Sequence, residues 1–253
     1  LTIHYNEACD ANMENVKKVW SAIDTTLSEK YPSKRISGGI FLYPRQAALL
    51  ATLVKAMAHR MMNHQRPASE SMTVCETGFG SGHSLALFLQ ASSSSSIRTV
   101  SFDKFDRPYQ IPLWKWLNQT HPQHHLDYVA GDSCKTVPAV LNGTLAPNSS
   151  MPTTQPQPIR CDILHGSSLC PTDNIDLVDH APCGALLTST AMATLEDPAV
   201  YFGKPAQWRK LRRRQCITKP ICFQEAPKEL DRHFFFAQQG AAYSSQFCIA
   251  MTT

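Results

Sequence analysis

The feature that most constrains the fold is a glycine-rich stretch, TVCETGFGSGHS, at residues 73–84. A short apolar run ends in Glu76, glycines follow at every second position, and the apolar pattern of a helix begins at Ser84. This order predicts a strand, a tight loop and a helix. The glycines permit positive φ and leave no Cβ in the way of a ligand. Free N–H groups at the start of the helix favour an anionic or electron-rich group.

The spacing of the glycines separates two classes of nucleotide-binding loop. Dinucleotide enzymes carry G-x-G-x-x-G, whereas this chain has E-x-G-x-G-x-G. With the glutamate before the first glycine, the stretch resembles the first motif of class I S-adenosylmethionine (SAM)-dependent methyltransferases, in the branch of small-molecule O-methyltransferases. The resemblance covers roughly residues 40–252. The alternative at the motif itself is a glycine-rich turn that binds nothing.

The resemblance implies an α/β fold with a doubly wound, seven-stranded, mostly parallel sheet and an antiparallel C-terminal hairpin. Helical and strand patterns alternate along the chain, which is typical of such a sheet, and the runs at 216–223 and 246–251 suit the hairpin. We expect a helical cap or lid at residues 1–40 and a SAM-binding methyltransferase domain at 41–253. Residues 142–159, rich in Pro, Asn, Ser and Thr, predict an inserted surface loop.

The resemblance also assigns residues to the cofactor SAM. An acid that ends the second strand accepts hydrogen bonds from ribose hydroxyls, which indicates Asp103, with Asp106 as a fallback. In the family an acid after the third strand contacts the adenine amino group, which implies Asp132 with Ser133 beside it. The alternative is a turn aspartate that hydrogen-bonds its own backbone. The cofactor residues implied within the glycine motif are Glu76, Gly78, Phe79, Gly80, Gly82 and Ser84.

The end of the fourth strand faces the reacting methyl group in the family. Ligands of open α/β sheets lie outside the carboxyl ends of the strands, so the run at 160–168 makes His165 the candidate general base. A structural hydrogen-bonding role is the alternative for this histidine. Helix capping and surface roles are the alternatives for the residues near the start of the predicted helix 44–62. The candidate acceptor contacts are Tyr43, Arg45, Gln46, Ser167 and Ser168.

Metal ligands are not expected. The metal-dependent catechol-type branch uses an Asp at the end of the fourth strand and an Asp-Asn pair at the fifth. Here those strands end His-Gly-Ser-Ser and Thr-Ser-Thr-Ala-Met, and Asp173-Asn174 falls between them. The sequence therefore predicts metal-independent chemistry. The histidines at 121, 124 and 125 have no nearby Cys or carboxylate pattern of a metal site and are expected at a solvated helix end.

Composition limits the partners. No apolar run approaches the roughly 20 residues that span a bilayer. The formal charge of +4 is too diffuse to indicate a nucleic acid. We expect a small-molecule or glycan acceptor, no nucleic-acid partner, and a homodimer as the candidate assembly. The basic run at 209–214 ends a predicted helix, where cations suit the dipole, with anion binding as the alternative.

Cysteines and glycosylation sequons bear on the compartment. The nine cysteines show no C-x-x-C pair and no zinc spacing. N-x-[ST] sequons begin at Asn118, Asn142 and Asn148, which favours a glycoprotein of the secretory pathway or Golgi lumen slightly over a cytoplasmic one. Buried thiols are expected at the cysteines within or beside strand-like runs, Cys75, Cys161 and Cys248.

Two other functions stay open. A non-catalytic nucleoside-binding or interaction module on a degenerate copy of the fold would explain the missing acid after the fourth strand. An NAD(P)-linked reductase is disfavoured by the glycine spacing and by the lack of a Tyr-x-x-x-Lys pair.

Overall fold

The computed structural model describes most of the predicted elements. The described residues are 8–32, 44–63, 71–149, 158–166, 184–194, 211–219, 221–225 and 243–253. The helices in these ranges are α1 (Ala8–Lys30), α2 (Pro44–Asn63), α3 (His83–Ala91), α4 (Gln110–Thr120) and α5 (Ser133–Leu141). The strands are β1 (Met72–Thr77), β2 (Ile97–Asp103), β3 (His125–Ala130), β4 (Asn148–Ser149), β5 (Ile163–Gly166), β6 (Leu186–Thr194), β7 (Ile221–Glu225) and β8 (Tyr243–Met251).

The strands form one sheet in the order β4-β3-β2-β1-β5-β6-β8-β7. Strands β3, β2, β1, β5 and β6 are parallel, and β8 runs antiparallel to both β6 and β7. The predicted doubly wound sheet with an antiparallel C-terminal pair is therefore confirmed. The strand order reverses beside β1, which has β2 on one side and β5 on the other, and ligands of such sheets bind at this switch point.

The described residues form eight strands, where seven were expected. The eighth strand is β4, two residues long and paired antiparallel with β3. It lies inside the segment 142–159, which was predicted to be a surface loop throughout. A polar, proline-rich sequence gives no strand signal, but the exposed edge of β3 offers unpaired backbone groups that a short passing segment can join.

Helices cover both faces of the sheet. Successive side chains of a strand point to opposite faces, so Val74 packs with the apolar residues of α1, α2, α3 and α4. Cys75, the next residue of β1, packs on the other face with Val137 and Leu141 of α5. The side chain of Glu76, two residues after Val74, lies on the same face of the sheet as Val74.

Helix α1 is part of the main core. Val16, Ile23 and Leu27 are fully buried and share one cluster with residues of α2 and α3. The predicted boundary at residue 40 lies outside the described residues, so the division into cap and domain stays a prediction. No described helix is long and apolar enough to cross a membrane.

The predicted buried thiols are wrong in their oxidation state. Cys75 and Cys161 are both fully buried but form a disulfide, with 5.7 Å between their Cα atoms and a separation of 86 positions in sequence. Cys248 is disulfide-bonded too, as is Cys134. The sequence does not reveal this disulfide, because β1 and β5 are neighbours in the sheet but far apart in sequence. Cys75 lies in β1, and Cys161 lies two residues before β5.

The histidine cluster after α4 also departs from the expectation of a solvated helix end. His121 and His124 are each 5% exposed. Nε2 of His121 lies 2.8 Å from Nε2 of Gln90 at the end of α3, and Nδ1 of His124 accepts the N–H of Ile97. The turn between α4 and β3 folds under α3 and β2, which removes these rings from water. His125 is half-buried and lies 3.0 Å from Asp127.

Candidate functional site

The carboxyl ends of β1, β2 and β3 are tied together by backbone hydrogen bonds. The N–H of Gly78 donates to the C=O of Phe102 at 2.7 Å, and the N–H of Gly131 donates to the C=O of Asp103 at 2.9 Å. These bonds continue the ladder just past the strand ends. The predicted cofactor residues of three separate sequence segments therefore lie along one edge of the sheet.

The glycine loop adopts backbone conformations that strongly favour glycine. Gly78, Gly80 and Gly82 have φ values of 90°, 57° and 80°. A Cβ added to Gly82 would lie 3.0 Å from the ring of Phe79 and 3.1 Å from Leu117. Gly82 therefore lets the first turn of α3 pack closely on the loop, and the predicted strand, loop and helix are all present.

Asp103 organises the loop from the end of β2. Its Oδ2 accepts the N–H of Gly80 at 2.8 Å, and its Oδ1 accepts the N–H of Lys104 at 2.6 Å. The carboxylate is half-buried, whereas the fallback Asp106 is exposed. Because backbone donors hold both oxygens, the orientation of the Asp103 carboxylate is fixed before any ligand arrives.

Glu76 is a buried acid at the end of β1 and is 1% exposed. Its two oxygens accept hydrogen bonds from the hydroxyls of Ser84 and Ser101, each at 2.6 Å. Burial raises the pKa of Glu76 from 4.5 to about 7, and the charge of Asp103 acts in the same direction. The two serines lower the pKa but do not offset burial. Two carboxyl groups at one edge of the sheet favour a cationic ligand.

Ser101 is a site residue that the sequence analysis missed. It precedes Asp103 by two residues, so the two side chains share a face of β2. In the sheet Ser101 is the register partner of Glu76. A serine inside an apolar strand is a weak signal alone, and only the register places it against an acid.

His165 continues the same row of side chains. It is the register partner of Glu76 on one side and of Thr188 on the other. The ring is 2% exposed, its Nδ1 lies 2.9 Å from Oγ1 of Thr188, and its edge meets Phe88 of α3 at 5.6 Å between ring centroids. The contact with Thr188 on the neighbouring strand is the kind of hydrogen bond expected if His165 has only a structural role. The role of His165 as general base stays a prediction.

Asp132 lies just after β3 and caps α5. Its Oδ1 accepts the N–H of Cys134 at 3.1 Å, which is the local backbone bond of the alternative interpretation. The side chain is exposed, and Ser133 beside it is half-buried. The contact to adenine remains a prediction, since capping occupies one carboxylate oxygen.

An aromatic group beside Asp103 was also missed. Phe105 is half-buried and stacks on Phe79 at 5.2 Å and against Tyr128 at 4.8 Å between centroids. Its φ of 52° is unusual for a bulky residue. Strained backbone of this kind gathers at functional sites, and here it turns an aromatic ring toward the glycine loop.

The predicted acceptor contacts are only partly described. Helix α2 begins at Pro44, as its sequence suggests, with Arg45 exposed and Gln46 fully buried. The other candidates, Tyr43, Ser167 and Ser168, lie outside the described residues, as do Asp173 and Asn174. Within the described ranges, no group of three or more His, Cys, Asp or Glu side chains is placed to hold a metal ion.

Comparison with known proteins gives matches in structure alone. No protein-family model matches the sequence, and no curated protein matches it significantly. Among solved structures, the O-methyltransferase from Bacillus cereus in complex with SAH aligns over 96% of this chain and 91% of its own, with a TM-score of 0.55 and 11% identity.

Two further solved structures agree. The O-methyltransferase TomG from Streptomyces achromogenes, involved in tomaymycin synthesis and solved in complex with SAM, covers 100% of this chain and 92% of its own, with a TM-score of 0.55 and 13% identity. Cofactor-bound Rv0187 from MTB covers 98% and 92%, with a TM-score of 0.51 and 13% identity. At these identities the likeness concerns architecture. The chain has the fold of the class I SAM-dependent methyltransferases.

Proposed function

We propose that this chain is a SAM-dependent methyltransferase that methylates an oxygen of a small-molecule or glycan acceptor without a metal ion. The observation that carries the proposal is the pair of acids, Glu76 and Asp103, at the ends of β1 and β2, joined through the glycine loop between them. The solved structures of like fold that contain SAM or SAH support it.

The residues at this edge fit the chemistry of SAM. The cofactor carries a sulfonium and an ammonium group, and the paired acids provide the negative potential that such cations need. Asp103 would accept from the ribose hydroxyls, while Asp132 and Ser133 would reach the adenine. The amino-acid end would meet Glu76, Ser84 and the backbone amides of the glycine loop, Gly78, Phe79, Gly80 and Gly82.

When bound, SAM would supply an electrophilic methyl group. His165 would take the proton of the acceptor hydroxyl while the acceptor oxygen takes the methyl group. The hydroxyl of Thr188 lies 3.4 Å from the C=O of Leu164. If it donates there, Nδ1–H of His165 donates to Thr188 Oγ1, and Nε2 is the basic nitrogen. Holding acceptor and methyl group in line can contribute roughly 7–11 kcal/mol.

The proposals about the acceptor contacts and about chemistry without a metal ion are based on the sequence. Tyr43, Arg45, Gln46, Ser167 and Ser168 are the proposed acceptor contacts, and the histidine in place of an Asp at the end of β5 supports chemistry without a metal. Loss of turnover on treatment with a chelator, restored by magnesium, would overturn the second point. The candidate homodimer would be tested by sedimentation equilibrium.

An oxidising compartment is the proposed location. Disulfides persist in secreted and luminal proteins and are rare in the cytosol, and this chain has a buried one between Cys75 and Cys161. The sequon residues Asn142 and Asn148 are exposed, so a glycan could attach there. Mass spectrometry before and after N-glycosidase treatment would test glycosylation of the protein from a eukaryotic secretory host.

Calorimetry with SAM, SAH and NAD tests the proposal. We expect SAM and SAH to bind and NAD not to bind. Asp103→Asn should weaken SAM binding about tenfold or more, because a hydrogen bond to a charged group contributes about 1.5–3 kcal/mol. Asp106→Asn, in the exposed neighbouring acid, is the matched control. Equal binding by wild type and Asp103→Asn would contradict the assigned site.

Turnover with a panel of hydroxylated acceptors separates an enzyme from the non-catalytic alternative. His165→Gln should retain SAM binding and lose most turnover if Nε2 is the base. Binding of SAM by the wild type with no turnover of any acceptor would favour the non-catalytic module.

A further inference from the structure

Three side chains link helix α1 to the middle of the glycine loop. Ser81, the residue between Gly80 and Gly82, is fully buried, and its Oγ lies 2.6 Å from Nδ1 of His83. Nε2 of His83 lies 3.0 Å from Oδ1 of Asp24 in α1. The imidazole therefore bridges a loop hydroxyl and a carboxylate 59 positions earlier in the sequence.

Helix α1 holds the same histidine by a second contact. Trp20 lies one helical turn before Asp24, and its Nε1–H donates to the C=O of His83 at 2.8 Å. The two rings also meet edge to face, with 6.0 Å between centroids. Residues four apart lie on one side of a helix, so a single face of α1 fixes both the backbone and the ring of His83.

The three residue types are those of a nucleophilic triad, but the geometry gives them another role. In a triad the hydroxyl must reach a substrate, whereas Ser81 is fully buried. The side chain of Asp24, at the far end, is 44% exposed. The order from surface to interior is therefore acid, imidazole, hydroxyl, which suits an anchor for the loop.

We propose that Asp24 and His83 are positioning residues that hold the glycine loop, through Ser81, in the conformation that binds the cofactor. This inference rests on the proposed function. The loop is already held from the sheet side, where Gly80 donates to Asp103. The contact of Ser81 holds it from the helix side. Between two glycines, whose backbone is the most mobile in the unrestrained chain, a second anchor lowers the entropy lost on binding.

The proposal also gives α1 a function. Residues 1–40 were expected to form a cap or lid, and in this inference α1 contributes to the affinity for the cofactor through its contacts with His83. The exposed carboxylate of Asp24 connects the surface of α1 to the loop through His83 and Ser81.

The test measures SAM affinity by calorimetry in the full chain for Asp24→Ala, Ser81→Ala and the double variant. Each single change should weaken binding about fivefold to tenfold, the effect of losing one hydrogen bond of about 1 kcal/mol. Because Asp24 acts through Ser81, the double variant should bind no more weakly than Ser81→Ala alone. Glu29→Ala, which removes an exposed acid from the same helix, should bind as wild type does.

Hydrogen exchange of the ligand-free chain supplies a readout that does not depend on SAM. The amides of Gly80 to Gly82 should exchange faster in Asp24→Ala than in Glu29→Ala, while β1 is unchanged. Asp24→Asn keeps an acceptor oxygen and should restore most of the protection. If Asp24→Ala does not fold, Ser81→Ala, which removes the loop end of the same chain of contacts, should show the faster exchange instead.

The outcomes separate the two proposals. Failure of the wild type to bind SAM would overturn the proposed function, and the exchange data would still decide whether the anchor exists. Binding by the wild type, with wild-type affinity in Asp24→Ala or additive losses in the double variant, would overturn the positioning role and leave the proposed function intact.

Discussion

The two ends of α3 hold buried titratable groups that differ in what surrounds them. At the first turn, Ser84 donates to Glu76 at the carboxyl end of β1. At the last turn, Gln90 contacts His121, with His124 beside it near the start of β2. Both ends lie on the same face of the same sheet.

Burial favours the neutral form at both ends, with opposite effects on the pKa. It raises the pKa of Glu76 to about 7 and lowers that of His124 to about 4, with the neighbouring His121 acting in the same direction on His124. The pKa of His121 is also lowered, by burial. The two groups differ in their neighbours. His124 accepts a hydrogen bond from the backbone N–H of Ile97, whereas Glu76 lies near a second acid, Asp103.

The different surroundings favour a structural role for His124 and support the proposed cofactor role of Glu76. Nδ1 of His124 is held by a backbone N–H of the fold itself, and Nε2 has no hydrogen-bond partner among the described residues. A carboxyl group beside Asp103, with two serine hydroxyls as its hydrogen-bond partners among the described residues, becomes fully favourable in its charged form only when a cation arrives. The sharpest tests change each group to a neutral isostere.

Glu76→Gln should give the largest change in stability. The raised pKa means that the folded state keeps a proton that the unfolded state loses above pH 4.5, so stability falls as the pH rises toward 7. The glutamine removes this loss, and the variant should gain up to about 3 kcal/mol over wild type at pH 8. Denaturant unfolding from pH 5 to 8 measures it, with the exposed Glu14→Gln as control.

A Glu76→Gln variant whose advantage over wild type does not grow with pH would contradict the raised pKa.

His124→Asn should abolish a loss of stability at acid pH. A lowered histidine pKa means that stability is present above pH 6.5 and is lost as the pH falls toward 4, where the unfolded state has taken up a proton and the folded state has not. The Asn oxygen can replace Nδ1 as acceptor for Ile97 N–H. We expect the variant to lose about 1–2 kcal/mol less than wild type between pH 7 and 5.

The control for this change is His59→Asn on the exposed side of α2. Parallel pH profiles for wild type and His124→Asn would show that the buried ring does not determine acid stability.

SAM binding should also depend on the charge of Glu76. Ionisation of this carboxyl is linked to cation binding, so the affinity of wild type should rise between pH 6 and 8 with release of a proton. Glu76→Gln should bind about tenfold more weakly at pH 8 and show no such rise. Calorimetry in two buffers of different ionisation enthalpy measures the proton. A wild-type affinity that is independent of pH would place the cation elsewhere.

The sequence predicts what is local at this site. The glycine loop, the acid at the end of β2 and the cap at Asp132 follow from neighbours in the chain, and each is found where its pattern indicates. Ser101, Thr188 and the Cys75–Cys161 disulfide depend on which strands are adjacent and in what register. A shift of one residue would turn each to the other face, so no single segment carries that information.

The burial of His121 and His124 was missed for the same reason. The segment is polar, and its neighbours in sequence are solvent-exposed turn residues. Only the packing of the α4–β3 turn beneath α3 removes the rings from water, and that contact joins parts of the chain about 30 residues apart.

The smallest expected effect on stability comes from removing either of the two serine hydroxyls that donate to Glu76. Ser101 is fully buried in β2 and donates to Oε1, whereas Ser84 is half-buried at the start of α3 and donates to Oε2. Ser101→Ala and Ser84→Ala should each cost about 1 kcal/mol at pH 8, where Glu76 is charged, and less at pH 5. Each loss should raise the pKa of Glu76 further.

The two variants should differ in cofactor binding. If Ser84 also contacts the amino-acid end of SAM, Ser84→Ala loses affinity at every pH. Ser101→Ala acts through the carboxyl group alone, so its loss of affinity should shrink as the pH rises above the new pKa of Glu76. Calorimetric titrations of both variants from pH 6 to 9 distinguish these profiles. Identical profiles would mean that Ser84, like Ser101, serves only to hold the acid, and the helix end would lose its assigned contact with the cofactor.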